Sequence, residues 1–385
     1  MLNEFNIAIT LFFASALSVK PIHAAEIGIA SFNLAWAGTV NQFKKHVEVC
    51  TAVKWCDVRK DAACQSKVLS AAGGKAQSMM VAPCNAYGLT EKKIEKGGLK
   101  LYDQKLEGLM NIIDELIIKH HIDVFAFQEV KDEETVKTIF GNHLKDFDIC
   151  VAPHNAFQTV AFAWKKSASS STPVCKTEST LSISEITDSE RRLRPGLELT
   201  LSVNGKKITF LNIHLKSSCA NFKAGGGFPG RKLTDDEPAC KLLNQQVAPL
   251  ENWIEVVSKQ SPDFLILGDF NRKIDEEASS RVTTDEIRSD GSDPRGPNPA
   301  DENGHVKTDL LWQEISDGDP GLTQIPLSKF EGCTGFKGLD HIVLSAFLFE
   351  KQLPSITSSK VPVVTQPAQI IKTSDHCPQI VEINI

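Results

Sequence analysis

The stretch Val124-Phe125-Ala126-Phe127 has no polar side chain and then runs into Gln128-Glu129. A strand that is apolar on both alternating faces needs cover on both sides, so a chain containing it must build at least two layers around a sheet. Comparable short runs, rich in β-branched and aromatic residues, occur at 27–34, 159–164, 197–203, 207–215, 264–267, 341–345 and 379–385. Asn204-Gly205 between two of them is a type I′ hairpin signal. Helical spacing appears at Leu106, Leu109, Ile113, Leu116 and Ile117, and again at Leu243, Val247, Leu250, Trp253, Ile254 and Val257, where Pro249 predicts a kink or a break. Strands alternating with helices indicate an α/β sandwich whose sheets are covered by helices.

Residues 7–19 form an apolar run of thirteen, followed by small residues at Ala24 and Ala25. The run is too short to span a bilayer as a mature helix, and residues 1–24 read as a secretory signal peptide. The leading segment departs from that pattern, with Glu4 and no Lys or Arg, and a buried N-terminal helix is the alternative. Export places the protein outside the cytoplasm, secreted or periplasmic, without stable membrane insertion once the signal is removed. All ten cysteines follow residue 25. An even number in an oxidising compartment predicts five disulfides, and the absence of a CxxC pair argues against zinc. Connectivity stays open; pairing Cys219 with Cys240 would close a Gly-rich loop and stabilise the fold by about 3 kcal/mol.

Residues 25–385 read as a single domain with insertions near 37–100, 217–238 and 276–305. No repeat and no further long apolar segment interrupts it. With 42 Lys+Arg against 48 Asp+Glu the net charge is −6, which excludes a generally basic nucleic-acid binder but not a local basic cleft.

Polar residues gather where the strands end. Residues 264–267 run into Gly268-Asp269-Phe270-Asn271, and extended backbone would send Asp269 and Asn271 to one side. Alone, this could be an Asx turn closing a strand. Glu129 ends a buried strand and needs a cation, most simply a divalent metal. Asn33 ends another strand, His214 and Lys216 stand two apart, Asp340 opens a strand, and Ser374-Asp375-His376 precedes the last one. His46, His120, His143 and His154 lack such context and read as surface or loop residues.

Taken in order, Phe32-Asn33, Gln128-Glu129, the stretch Asn212-Ile213-His214-Leu215-Lys216, Gly268-Asp269-Phe270-Asn271, Leu339-Asp340-His341-Ile342 and Ser374-Asp375-His376 resemble the motifs of the endonuclease/exonuclease/phosphatase superfamily, across residues 27–385. Arg194 before Pro195 is a weaker match. The resemblance implies a four-layer α/β sandwich of two packed mixed β-sheets flanked by helices, the deoxyribonuclease-I-like fold. It also implies metal-dependent attack of water on a phosphoester. Glu129, Asn33 and Asp375 would hold magnesium or manganese, with calcium as a further candidate. Asp269 would orient or deprotonate the water and Asn271 fix it. Asp340 would hold His376 in one tautomer, His214 would face the phosphate, and Arg194 and Lys216 would add positive charge at the rim. Cys377 follows His376, so a disulfide there would help to fix the imidazole.

The expected substrate is nucleic acid, DNA before RNA, cut as an endonuclease would cut it. Loop 221–232 supplies Lys223, Arg231 and Lys232 with Phe222 and Phe228, and Arg191, Arg192 and Arg194 form a second basic run. A sphingomyelinase-like lipase is the alternative enzyme, but no compact cluster of Trp and Phe suggests a membrane-docking hairpin. The inositol-phosphatase branch usually has Arg where this chain has His341. A non-catalytic secreted binding or toxin subunit is the reading from another class, and it would be expected to have lost a motif residue. Protein partners are not legible.

Overall fold

Two mixed β-sheets stack face to face in the computed structural model, with helices on both outer faces. The structure describes residues 26–57, 61–183, 193–225, 227–279, 310–316, 321–329, 333, 338–364 and 369–385. The expected signal peptide, Arg191 and Arg192, Gly226 and all of the 276–305 stretch beyond residue 279 lie outside them.

The strands are β1 (Glu26–Ala37), β2 (Ile122–Val130), β3 (Phe147–Val151), β4 (Thr159–Lys165), β5 (Val174–Glu178), β6 (Gly196–Val203), β7 (Lys206–His214), β8 (Phe264–Asp269), β9 (Leu322–Gln324), β10 (Leu327–Lys329), β11 (Asp340–Ser345), β12 (Ser358–Lys360) and β13 (Gln379–Asn384). One sheet runs β10-β12-β13-β1-β2-β4-β3 and the other β5-β6-β7-β8-β11-β9. Both are mixed: β1 pairs parallel with β2 and antiparallel with β13, while β7 pairs parallel with β8 and antiparallel with β6.

The period-2 geometry of β2 explains why its sequence is apolar throughout. Val124 and Ala126 face the other sheet, in a core shared with Phe210, Leu265 and Ile342. Phe125 and Phe127 face outward into a helical layer. That layer is built by α1 (Val40–Ala52), α5 (Lys100–Lys119) and α6 (Glu133–Phe140), with α2 (Ala62–Ala72), α3 (Lys75–Met79) and α4 (Glu91–Gly97) between the first two. On the opposite outer face α7 (Pro238–Gln260) covers β7 and β8. The four layers implied by the resemblance are therefore present.

Some local expectations change. The helix predicted to kink or break at Pro249 runs as one element from Pro238 to Gln260. Leu243, Val247, Leu250, Trp253, Ile254 and Val257 are all buried along it, and that stripe outweighs the roughly 3 kcal/mol a proline costs inside a helix. The 37–100 insertion is built largely of helices, α1 to α4. α1 begins with a capping box, in which Thr39 caps the Gln42 N–H while the Gln42 side chain accepts from the Thr39 N–H. Asn204 and Gly205 both have positive φ, as a type I′ turn requires.

All ten cysteines are paired: Cys50–Cys84, Cys56–Cys64, Cys150–Cys175, Cys219–Cys240 and Cys333–Cys377. Two bridges staple the 37–100 insertion, Cys219–Cys240 closes the Gly-rich loop, and Cys377 anchors the residue after His376. His46, expected at the surface, is fully buried among Phe43, Tyr87, Trp55 and the Cys50–Cys84 bridge. Its Nδ1 lies 2.9 Å from the Ala82 carbonyl.

Candidate active site

Backbone irregularity aims the side chains. The register of β1 against β2 shifts between Asn33 and Ala37, and that of β2 against β4 shifts between Gln128 and Val130. Ala35, Trp36 and Glu129 have positive φ (50°, 60° and 55°). Bulges of this kind re-aim a side chain at the end of a strand, and left-handed non-glycine backbone persists only where its surroundings enforce it. Here the Trp36 N–H donates to Glu129 Oε2 at 3.1 Å, locking the two bulges together. Gly268 sits at φ 137°, and a Cβ there would lie 2.1 Å from the Ile213 carbonyl oxygen. Only glycine allows β8 to approach β7 so closely, and that approach brings Asp269 beside His214.

Asp269 is the hub. Its Oδ2 accepts from Asn33 Nδ2 at 3.0 Å and lies 3.6 Å from His214 Nε2 and 3.9 Å from His376 Nε2. Its Oδ1 accepts the Asn271 N–H at 2.8 Å. Asn271 is not extended as expected: its φ is 51°, and its Nδ2 donates to the Leu215 carbonyl at 3.1 Å. An Asx turn thus replaces the extended geometry: the Asn271 N–H holds Asp269 Oδ1 while its side chain holds the Leu215 carbonyl, so the turn and the functional arrangement coexist.

Asp340 pairs in register with Asp269 across β11 and β8. His376 Nδ1 lies 3.0 Å from both Asp340 oxygens, and Lys360 Nζ donates to Oδ2 at 2.6 Å. The carboxylate thus fixes the imidazole with Nε2 toward Asp269. His214 Nε2 also lies 3.7 Å from Glu129 Oε1.

Burial and neighbouring charges set the proton affinities. Burial pushes the Asp269 carboxyl up to about 7, against the pull of His376. It also raises Glu129, with Asp375 adding to the effect. For Asp340 burial acts upward, but His376 and Lys360 more than offset it and hold the carboxyl well below its usual range. Burial would lower His376, yet Asp340, Asp269 and Asp375 lift it to about 10. His214 is held well below its ordinary value by burial, then by Arg194 and His376. The two imidazoles therefore differ in charge, His214 neutral and His376 cationic.

Asp375 is half-buried and close enough to act electrostatically on both Glu129 and His376. Arg194 and Lys216 are not at a solvated rim as expected. Each is about 9% exposed; Arg194 donates to the Leu215 carbonyl and its charge is felt at Glu129 and Asp269. Lys216 donates its backbone N–H to Gln246 and its Nζ to the Ser217 carbonyl, and its charge is felt at His214. All ten residues singled out in the sequence thus converge on one end of the sandwich.

Two groups of side chains could hold a metal. Asp269, Asp340 and His376 offer ligand atoms within 4.8 Å of one another. Asp340, however, is already matched by His376 and Lys360, so a cation there would displace existing bonds. Glu129 and Asp375 repel each other and are buried or half-buried, and a hard divalent ion is what oxygen donors in that relation suit. Asn33 is more committed: its Oδ1 accepts the Ala35 N–H at 2.9 Å and its nitrogen serves Asp269. The donor set fits magnesium, manganese or calcium, with Asn33 contributing at most its remaining lone pair.

Several supporting residues carry little sequence signal. Lys105 is fully buried, and its Nζ donates to the carbonyls of Leu34 at 2.8 Å and Thr373 at 2.5 Å. It ties the bulge after Asn33 to the loop of Asp375, and burial lowers its pKa to about 7. Its place among Leu101, Leu106 and Leu109 on α5 is the available clue. Lys360, on a three-residue strand, offers none. Gln128 Nε2 donates to Asn212 Oδ1 at 2.8 Å, and Asn212 Nδ2 bonds the carbonyls of Phe127 and Ala161, joining the sheets beside the centre.

No protein family matches the chain, and no curated protein is similar to it. Solved structures are. An endonuclease/exonuclease/phosphatase from Bacteroides vulgatus is 11% identical, covering 94% of this chain and 99% of its own with a TM-score of 0.46. D. rerio TDP2 complexed with a single-strand DNA product is 11% identical over 73% of this chain and 93% of its own, TM-score 0.42. The mannosyl-6-phosphatase Bt3783 of Bacteroides thetaiotaomicron is 11% identical over 92% and 98%, TM-score 0.42. At such identities and scores these likenesses assign no activity to this chain.

Proposed function

We propose that the protein is a secreted, divalent-metal-dependent phosphodiesterase of the endonuclease/exonuclease/phosphatase superfamily, with nucleic acid, DNA first, as its substrate. One observation carries the chemistry: a buried carboxylate oxygen, Asp269 Oδ2, faced by Asn33 Nδ2 and by the Nε2 atoms of two histidines.

In this reading Asp269, oriented by Asn33 and the Asn271 N–H, positions a water and accepts its proton as the oxygen attacks phosphorus. His376, held by Asp340, directs Nε2 at a phosphoryl oxygen, where a fixed donor stabilises charge that develops in the transition state. His214, neutral, stands on the other side of Asp269 and offers an N–H hydrogen bond toward the departing ester oxygen. The P–O ester bond breaks and the proton Asp269 took from the water passes to the departing oxygen, giving a phosphomonoester and an alcohol. A divalent ion at Glu129 and Asp375 would supply Lewis-acid stabilisation of the phosphoryl oxygens. Arg194 and Lys216 add fixed positive charge beside the same centre.

For the substrate, the support is the basic, aromatic loop closed by Cys219–Cys240, where Phe228 is 57% exposed; Arg231 there is paired with Glu237 at 3.4 Å. For secretion, the support is five disulfides with no free cysteine. Mature protein is to be incubated with plasmid DNA, RNA, sphingomyelin and inositol phosphates, with magnesium or with EDTA. Nicking of DNA that needs the metal is expected, and turnover of sphingomyelin alone would overturn the nuclease reading. N-terminal sequencing of exported protein should begin at residue 25; a retained 1–24 segment would overturn the signal assignment.

A further inference from the structure

A cavity of about 390 Å³ opens beside the centre and is walled on its far side by the disulfide-stapled insertion. We infer that this cavity is a binding site for a single unstacked nucleobase next to the phosphate that is cut. The inference rests on the nuclease reading and deepens it.

The cavity is joined to the chemistry by shared residues. Trp36 lines it, and its backbone N–H holds Glu129 at 3.1 Å. Arg194 and Lys216 line the same space, and Arg194 donates to the Leu215 carbonyl that Asn271 also bonds. A phosphodiester at the Asp269 centre would therefore place its adjoining nucleoside at the cavity mouth.

The walls suit a planar, uncharged, hydrogen-bonding group. Half-buried Trp36 offers an aromatic face for stacking, backed by the buried Phe157 ring 5.8 Å away at 43°. Gln65, Asn85 and Gln158 supply amides that can pair with base edges. Among the described residues no Asp or Glu lines the cavity, and carboxylates are what commonly hold sugars and cationic ligands. An acyl chain would leave those amides desolvated without partners. The volume accommodates one nucleoside and not a duplex, so the occupant is a base in single-stranded or locally opened nucleic acid.

The far wall is not borrowed from the sandwich. Val49, Cys56, Val68 and Cys84 come from the 37–100 insertion, and Cys50–Cys84 with Cys56–Cys64 fix it. This gives the two bridges a role in recognition.

The test uses the full mature, oxidised protein and two single-stranded oligonucleotides, one with normal bases and one with a tetrahydrofuran abasic residue walked along the strand. Binding is measured by calorimetry in EDTA, which needs no turnover, and cleavage separately with magnesium. At one position beside the cut, loss of the base should weaken binding about tenfold, the order expected for one stacked base. Ala156→Trp, which fills the cavity from a half-buried position, should abolish that preference while leaving cleavage of the abasic strand within about twofold. Trp36→Leu should reduce the preference without filling the space. Equal binding of both strands by the wild type, or a preference that survives Ala156→Trp, overturns the base site whether or not cleavage occurs. Failure to cleave any strand, with base-dependent binding intact, overturns the nuclease reading alone.

Discussion

His46 is neutral in its buried cage because burial pushes its pKa down to about 4, from an ordinary value of 6.5. The Ala82 carbonyl opposes this weakly, and Tyr87, Trp55, Phe43 and the Cys50–Cys84 bridge surround the ring without offering a counter-charge. A histidine whose folded pKa is depressed leaves the unfolded chain binding more protons below 6.5. Its contribution to stability is thus fully present above that value and lost as pH falls toward and through 4. With 6.5 and about 4, the loss is about 2 kcal/mol at pH 5 and about 3 kcal/mol at pH 4. His46→Asn removes the titration, and its amide can still donate to Ala82. The assay is equilibrium unfolding of oxidised protein in urea at pH 7.5 and at pH 5, for wild type and variant. The variant is less stable at both because of the cavity left behind, but that cost is independent of pH and cancels in the double difference. Wild type should lose about 2 kcal/mol more than His46→Asn between the two values. Equal losses would refute the idea that His46 is buried uncharged.

Three further outcomes follow from the site. Gly268→Ala should cost at least about 3 kcal/mol or prevent folding, because its Cβ would meet the Ile213 carbonyl at 2.1 Å in a positive-φ conformation, and thermal melting reads this directly. Lys360→Met strips a buried ammonium from Asp340 and should destabilise by about 3 kcal/mol; a variant as stable as wild type would show that the 2.6 Å pair contributes nothing net. Lys105→Met should loosen the link between the Leu34 and Thr373 carbonyls, so magnesium affinity measured by calorimetry should fall about tenfold while far-ultraviolet circular dichroism is unchanged.

What the chain reveals before folding follows from how local each feature is. The end of β2 is legible because an apolar run meeting Glu129 must either lose its burial or place the carboxylate at an edge. The Thr39 and Gln42 capping box that starts α1 is seen only in the structure, within a stretch the sequence marks no more finely than as an insertion. Other features depend on partners far away in sequence. Gln128 meets Asn212 across 84 residues, and Lys105 meets Thr373 across 268; no local pattern announces either bond. His46 shows the same problem in reverse, since its type suggests solvent until Phe43, Trp55 and Tyr87 enclose it.

Asn271 shows why a structural and a functional reading need not compete. Its φ of 51° and the bond from its N–H to Asp269 Oδ1 make an ordinary Asx turn. That bond occupies one carboxylate oxygen and leaves the other, Oδ2, facing Asn33, His214 and His376. Without the turn the Asn33 bond alone would hold the carboxylate, and its two oxygens would be less firmly distinguished for proton transfer to a positioned group. The left-handed turn, the bulge at Glu129 and the close approach at Gly268 are one device: each gives up regular strand geometry to hold an oxygen in place, and the buried sheets behind them supply the stability that this strain consumes.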